Sequence, residues 1–202
     1  MAKITLQCEK KLIEEVYSYD VVIVGTGIHN TLGNGFQYDV KINFPTVEEV
    51  VKAGKYADPR KLGTVSVVNL TPVFCVAYIH KGSYRKDLKP DYLDYEALET
   101  CLKLIDGNFE GKRIATTLIV CGKFDGNGDR ERVLDMFRSL PGDNEYFIYD
   151  YEQKDYREVN NAEWRTIIDQ VGKIPYEELR KLKDEYIHRR KYGIYNNTEK
   201  EK

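Results

Sequence analysis

Four glycines, Gly25, Gly27, Gly33 and Gly35, fall within eleven positions directly after the apolar run at 21–24. A second cluster, Gly122, Gly126 and Gly128, follows the apolar run at 114–120. Glycine in such places supplies backbone that takes positive φ or lies close to another group. The amides of glycine loops and helix N-termini can cradle a phosphate without formal positive charge. Groups able to act on a bound ligand are interleaved with these glycines. His29 and Asn30 stand in the first cluster, Asp125 and Asn127 in the second. A carboxylate can serve as a general base, and a histidine as acid or base near neutral pH.

Two common phosphate motifs do not match. A dinucleotide fingerprint needs G-x-G-x-x-G and an acidic residue closing a later strand, but Asn30 stands where the third glycine belongs. Glu48 and Glu49, at the acidic spacing, fall on a predicted helix. A P-loop needs Gly-Lys followed by Ser or Thr, and Gly122-Lys123 is followed by Phe124.

The elements that must position these loops alternate along the chain. Strands are expected at 3–8, 20–24, 62–68, 73–80, 114–120 and 145–151, with the third and fourth joined as a hairpin through 69–72. A short helix is expected at 36–44, ended by Pro45. Another runs from 47 to about 53, opened by a capping box of Thr46 and Glu49 and stopped by Gly54. Pro90-Asp91 opens a longer helix on which Tyr95, Leu98, Leu102 and Ile105 share a face. Asp129 is placed to cap a helix whose stripe is Val133, Leu134, Phe137 and Leu140. This order gives an α/β domain, helix–sheet–helix, with a mixed sheet. Ligands of such sheets bind beyond the carboxyl ends of strands, where both glycine loops lie.

Composition narrows the classes further. A chain of 202 residues buries enough apolar surface to fold without disulfides or metal. The net charge of −2 offers no global field for nucleic acid or membranes. Cys8, Cys75, Cys101 and Cys121 are dispersed and read as buried free thiols in a reducing compartment. His29, His80 and His188 are widely separated, and no metal site is expected. No apolar run approaches the ~20 residues that span a bilayer, and no signal-peptide stretch opens the chain, so a soluble cytoplasmic protein is expected.

Residues 154–202 differ in character. Two polar helices are expected within 154–195, followed by a disordered charged tail at 196–202. Arg180, Lys181, Lys183, Arg189, Arg190 and Lys191, interleaved with Tyr186 and Tyr192, could touch nucleic acid. Acidic neighbours dilute that charge, and a solvated helix packed through Leu179, Leu182 and Tyr186 is the alternative.

A third pattern fits the glycines better. The chain reads Asp20-Val-Val-Ile-Val, Gly25-Thr-Gly-Ile-His29-Asn30, then Leu32-Gly33-Asn34-Gly35-Phe36 and Ile42-Asn43-Phe44-Pro45. This resembles the first ligand loop of a macro domain, a module that binds ADP-ribose. Lys61-Leu62-Gly63 and the strand after it are similar to the family's next segment. Gly126-Asn-Gly-Asp129-Arg130 is similar to its second, phosphate-facing loop, and Tyr146 to Tyr151 to its closing strand. The match covers 1–153 and is nearest to the divergent branch that includes the terminal ADP-ribose glycohydrolase and macro-like proteins of large tailed phages.

That resemblance implies a three-layer macro-like fold that takes ADP-ribose or a related NAD-derived nucleotide, with no cofactor. Gly25, Gly27, Gly33, Asn34, Gly35 and Phe36 would form one wall, and Gly122, Gly126, Asn127 and Gly128 the other. Phe124 or Tyr151 would stack on adenine. If the chain is an enzyme, it hydrolyses ADP-ribose from a modified protein or nucleic acid through Asp125, Asn30 and His29. The family branch uses a lysine nucleophile whose position aligns with Asn69, or with Leu70 if the gap shifts, while Lys81 lies one strand on. The other readings are a non-catalytic binder of an NAD-derived signal and a degenerate fold kept as a protein-interaction scaffold. A phage-encoded copy would work in the host cytoplasm.

Overall fold

The computed structural model describes residues 2–7, 10–33, 35–81, 93–119 and 128–150. All of them fall in the first of the chain's two units, Met1–Glu152. The extension expected at 154–195 and the tail at 196–202 lie outside the described residues.

Six strands, β1 (Lys3–Gln7), β2 (Val21–Gly27), β3 (Val65–Val68), β4 (Val73–His80), β5 (Arg113–Thr117) and β6 (Glu145–Tyr149), form one sheet in the order β1-β6-β5-β2-β4-β3. The pairings are parallel except for the β3–β4 hairpin, so the sheet is mixed as expected. Among the described residues five helices surround it: α1 (Leu12–Glu15), α2 (Gly35–Asn43), α3 (Pro45–Ala53), α4 (Tyr95–Asn108) and α5 (Arg130–Arg138).

Successive side chains of a strand point to opposite faces, and here both faces are covered. Val21, Ile23, Cys75, Ala77 and Ile79 pack with Leu98, Leu102 and Ile105 of α4 and Val133, Leu134 and Phe137 of α5. Val22, Val24, Phe74, Val76 and Tyr78 pack with Leu12, Val40, Val47 and Val51 from α1, α2 and α3. That double burial is why β2 reads as an unbroken apolar run instead of an alternating one. Cys75 and Cys101 are buried free thiols, and burial pushes both up to about 12. Among the described residues no helix is long and apolar enough to cross a membrane.

Asp20 ties three strands together at their start. Its carboxylate accepts from the Arg113 amide at 2.9 Å. Its own amide donates to Arg113 O, and its carbonyl accepts from the Val73 amide, both at 3.0 Å. Asp129 caps α5 as expected, accepting from the Arg132 amide at 3.0 Å.

Several boundaries differ from the sequence expectation. α3 begins at Pro45, with Phe44 as its cap and no side-chain cap bond. Proline presets φ at the first helical position and brings no N–H that needs a partner. Thr46 is therefore already inside the helix and the Thr46–Glu49 capping box is not formed. α4 is opened by Asp94, which accepts from the Ala97 amide at 3.1 Å, and not by Pro90-Asp91, which lie outside the described residues. β3 starts at Val65 instead of residue 62, because a 3-10 turn, Pro59–Lys61, occupies the chain just before it.

Candidate functional site

The sheet has a switch point. From β2 the chain continues to β4 and β3 on one side, while β5 and β6 lie on the other. β2 pairs with β4 along its whole length, from Val21 to Gly27, but with β5 only through Ile23. The end of β2 therefore overruns β5, and the edge it turns toward β5 is left outside the ladder. In open α/β sheets this is where ligands bind. The first glycine loop begins there, and the second follows β5 at the same end.

The glycines of the first loop serve different purposes. A Cβ on Gly25 would lie 2.7 Å from Ile119 Cγ2 and 2.8 Å from Ile79 Cδ1. Gly25 thus makes room for two side chains of the fold, where the nucleotide wall was expected. Its carbonyl, outside the β5 ladder, accepts from Gln37 Nε2 at 2.6 Å, which ties α2 back to β2. Gly27 ends β2 at a register shift opposite His80. Gly35 opens α2 at φ 51°, a backbone region that glycine enters at little cost. A Cβ on Gly33 would meet nothing within 4 Å, so this position borders open space. Phe36 is half-buried and packs against the core on the α2 side. Thr26, fully buried, donates to Thr31 O at 2.8 Å and closes the loop on itself.

Asn30 is 8% exposed with φ 56°. Its amide is committed on both sides: Nδ2 donates to Gly54 O at 2.5 Å, and Oδ1 accepts from Lys61 Nζ. These two bonds brace the loop, and each leaves the amide one further hydrogen-bonding position: a second N–H on Nδ2 and a second lone pair on Oδ1. His29 beside it differs. Its Nδ1 is buried and finds no hydrogen-bond partner among the described residues. Its ring meets Tyr56 edge-on at 5.2 Å, and Tyr56 is 66% exposed.

The second loop is described at its flanks. Ile119 packs over Gly25 on one side. On the other, Gly128 leads into Asp129, whose amide donates to the Tyr95 hydroxyl at 2.8 Å. Arg130 Nε and Nη2 donate to Asp150 Oδ2 at 2.9 and 2.6 Å, fastening the start of α5 to the end of β6. Gly122, Phe124, Asp125, Gly126, Asn127 and Tyr151, with Asn34 of the first loop, lie outside the described residues.

The topology places the two residues that align with the family's lysine. Because β3 runs antiparallel to β4, Val68 pairs with Phe74 near the start of β4, and Asn69 and Leu70 lie beyond it. Gly27 pairs with His80 at the other end. Six residues of strand separate the two ends, about 20 Å. Lys81, directly after β4, lies at the crevice end. Its Nζ lies 2.6 Å from Asp94 Oδ2, and that bond raises its pKa.

Sequence reasoning did not single out Tyr56, took Gly54 only as a helix stop, and met Lys61, Arg130 and Asp150 only inside family-like segments, without a role. Their partners are distant in sequence, so no local pattern marks them.

No family model matches the chain, and no curated protein matches its sequence. Solved structures do match its fold. The Thermosipho africanus DarTG structure in complex with ADP-ribose superposes at TM-score 0.58 and 15% identity. It covers 78% of this chain, and this chain spans 44% of that one. A protein of unknown function from Bacteroides thetaiotaomicron gives 0.56 at 15% identity, covering 74% and 98% of the two chains. The macrodomain of Mycobacterium tuberculosis DarG gives 0.51 at 16% identity, covering 74% and 97%. Together with the strand order and the switch point, these likenesses identify the chain's fold as a divergent form of the macrodomain.

Proposed function

We propose that the chain binds ADP-ribose or a related NAD-derived nucleotide in the crevice between the ends of β2 and β5. One observation carries this reading. At the switch point β2 overruns β5, and the loop beyond it combines a close-packed root at Gly25, open space at Gly33 and a helix start at Gly35. The helix start and the open backbone suit a diphosphate. The ADP-ribose complex of the structurally similar DarTG supports the choice of ligand. In this reading the second wall is Gly126, Asn127 and Gly128, and adenine stacks on Phe124 or Tyr151.

In the hydrolytic form, water adds to the anomeric carbon of the distal ribose. Asp125 takes the water's proton, and the bond to the modified macromolecule breaks with its acceptor atom taking a proton. Asn30 holds the distal ribose or orients the water, and His29, whose Nδ1 has no partner among the described residues, acts beside it as acid or base. A second reading, binding without turnover, is favoured by Lys81. A lysine nucleophile must be an unprotonated amine, and the Asp94 bond holds Lys81 as ammonium.

The test is calorimetry and thermal melting with ADP-ribose, with AMP and NAD as controls. At a hundred times Kd, binding adds about 2.7 kcal/mol, or roughly 5–10 °C for a chain of this size. Absence of both heat and shift overturns the reading and leaves the scaffold role. Gly33→Glu, a change into open space, is expected to abolish the shift while the ligand-free melting point stays within about 2 °C. Asp125→Ala is expected to keep binding and remove any release of ADP-ribose from modified protein or DNA. Turnover that survives it excludes Asp125 as the base.

A further inference from the structure

Lys61 is a half-buried cation at the crevice end of the sheet. Among the described residues no carboxylate forms an ion pair with it. Asp58, three positions earlier, is taken by Arg60 at 2.6 Å. The ammonium instead donates to Asn30 Oδ1 and stands 5.0 Å from the centre of the Tyr78 ring. Burial lowers its pKa, as expected for a charge moved toward apolar surroundings, with Asp58 acting weakly the other way. An apolar side chain of similar length would avoid that penalty. The placement therefore calls for a reason.

Gly54 supplies part of it. A Cβ there would lie 2.5 Å from Lys61 Nζ and 2.8 Å from Cε. Its backbone, φ −73° and ψ 157°, is one that any residue adopts. What glycine contributes at this position is the notch that holds the lysine end. The Gly54 carbonyl then takes the Asn30 Nδ2. Asn30 thus joins Lys61 and Gly54, and the charge on Lys61 fixes which way the Asn30 amide faces. A bond from an ammonium to an amide oxygen is charge-assisted and stronger than a neutral one.

The rest of the 54–61 segment lies against the same loop. The Ala57 amide donates to Ile28 O at 2.9 Å, and Tyr56 meets the His29 ring. Residues 28–30 are therefore strapped one after another, and Asn30 is held at φ 56° three residues before Gly33.

We infer that Lys61 is a positioning residue for the first glycine loop: seated in the Gly54 notch, it clamps Asn30 and so sets the wall on which the ligand rests. The ligand class rests on the nucleotide reading above; the clamp itself does not.

The test uses the full chain with two independent variants, Lys61→Met, which removes the donor, and Gly54→Ala, which fills the notch and keeps the lysine. Amide hydrogen exchange is followed without ligand, and ADP-ribose affinity by calorimetry. Loss of one charge-assisted bond corresponds to a change of about ten- to a hundredfold. Each variant is expected to speed exchange at residues 28–35 by that factor, leave β5 and β6 unchanged, and weaken ADP-ribose binding. Unchanged exchange at 28–35 in either variant, or a uniform rise across the sheet, overturns the inference. If Lys61→Met does not fold, Gly54→Ala decides. If the wild-type chain gives no heat with ADP-ribose, the nucleotide reading falls and the exchange measurement alone decides the clamp.

Discussion

The two ends of the sheet solve opposite problems. At the start of the parallel strands, polar groups answer one another. Asp106, 3% exposed, accepts from the Gly142 amide at 2.8 Å, Asn144 Nδ2 at 2.9 Å and the Tyr146 hydroxyl at 2.9 Å. Asn144 Oδ1 accepts from the Lys112 amide at 2.9 Å. Burial, reinforced by Asp106, pushes the Tyr146 phenol far up and keeps it a donor. At the finish of the strands the loop is braced near its root, through Thr26, Ile28, Asn30, Gly54 and Lys61. Beyond the root, Gly33 borders open space and His29 Nδ1 has no partner among the described residues. A closed polar network stabilises, because leaving any member unpaired is costly. A network left open at one end is what a ligand can complete.

The comparison can be broken from either side. The largest effect is expected from Asp106→Ala, which takes the acceptor from the buried Tyr146 hydroxyl and the half-buried Gly142 amide and leaves Asn144 Nδ2 only the Asp106 carbonyl, at about 1–3 kcal/mol for each donor left unpaired. The melting point should fall by about 10 °C, with ADP-ribose affinity measured well below the melt unchanged. A fall of less than about 3 °C would mean that this end is not where stability is concentrated. Gly25→Ala comes next. Its Cβ crowds Ile119 and Ile79, at about 1–3 kcal/mol for overpacking. Because Ile119 leads into the second loop, nucleotide affinity should fall as well. Lost stability with intact affinity would make Gly25 a packing residue alone.

The smallest effect concerns pH. Burial pushes Asp94 up, but the Lys81 bond and the Ala97 amide outweigh it and hold the carboxyl below its ordinary 3.8. A carboxylate depressed in the folded state adds stability above its unfolded pKa and loses it as pH falls through the folded one. Lys81→Met should therefore melt slightly lower than wild type at pH 6, and the difference should shrink as pH drops below 3.8. A gap that persists in acid would show that the pair is not the cause.

Much of the fold was legible because its signals are local. The cap at Asp129 and the stripe Val133, Leu134 and Phe137 sit within one helix. The double burial of β2 shows in its run of valines and isoleucine. The site was legible only in its glycines. Gly25 was rightly taken to allow a close approach, but what approaches is Ile119, 94 positions on, which no local pattern displays. Asp106 reads as a solvated helix residue, since its partners lie 36 to 40 positions away. The alignment of Asn69 with the family's lysine carried no position in the sheet; the β3–β4 register supplies it, with Asn69 beyond Val68 and so past the start of β4.

The pairing of β1 with β6 has a consequence for how the chain is made. Lys3 and Glu145 are partners 142 positions apart, in the order in which a ribosome releases them. β1 must wait for β6. Contacts that close so long a loop bring their reward late. β2, β4 and β5, central in the sheet, can assemble while β1 is still unpaired. The N-terminal strand is thus expected to dock last, as an edge laid on a finished sheet. A nascent chain halted before residue 145 would carry it without its partner.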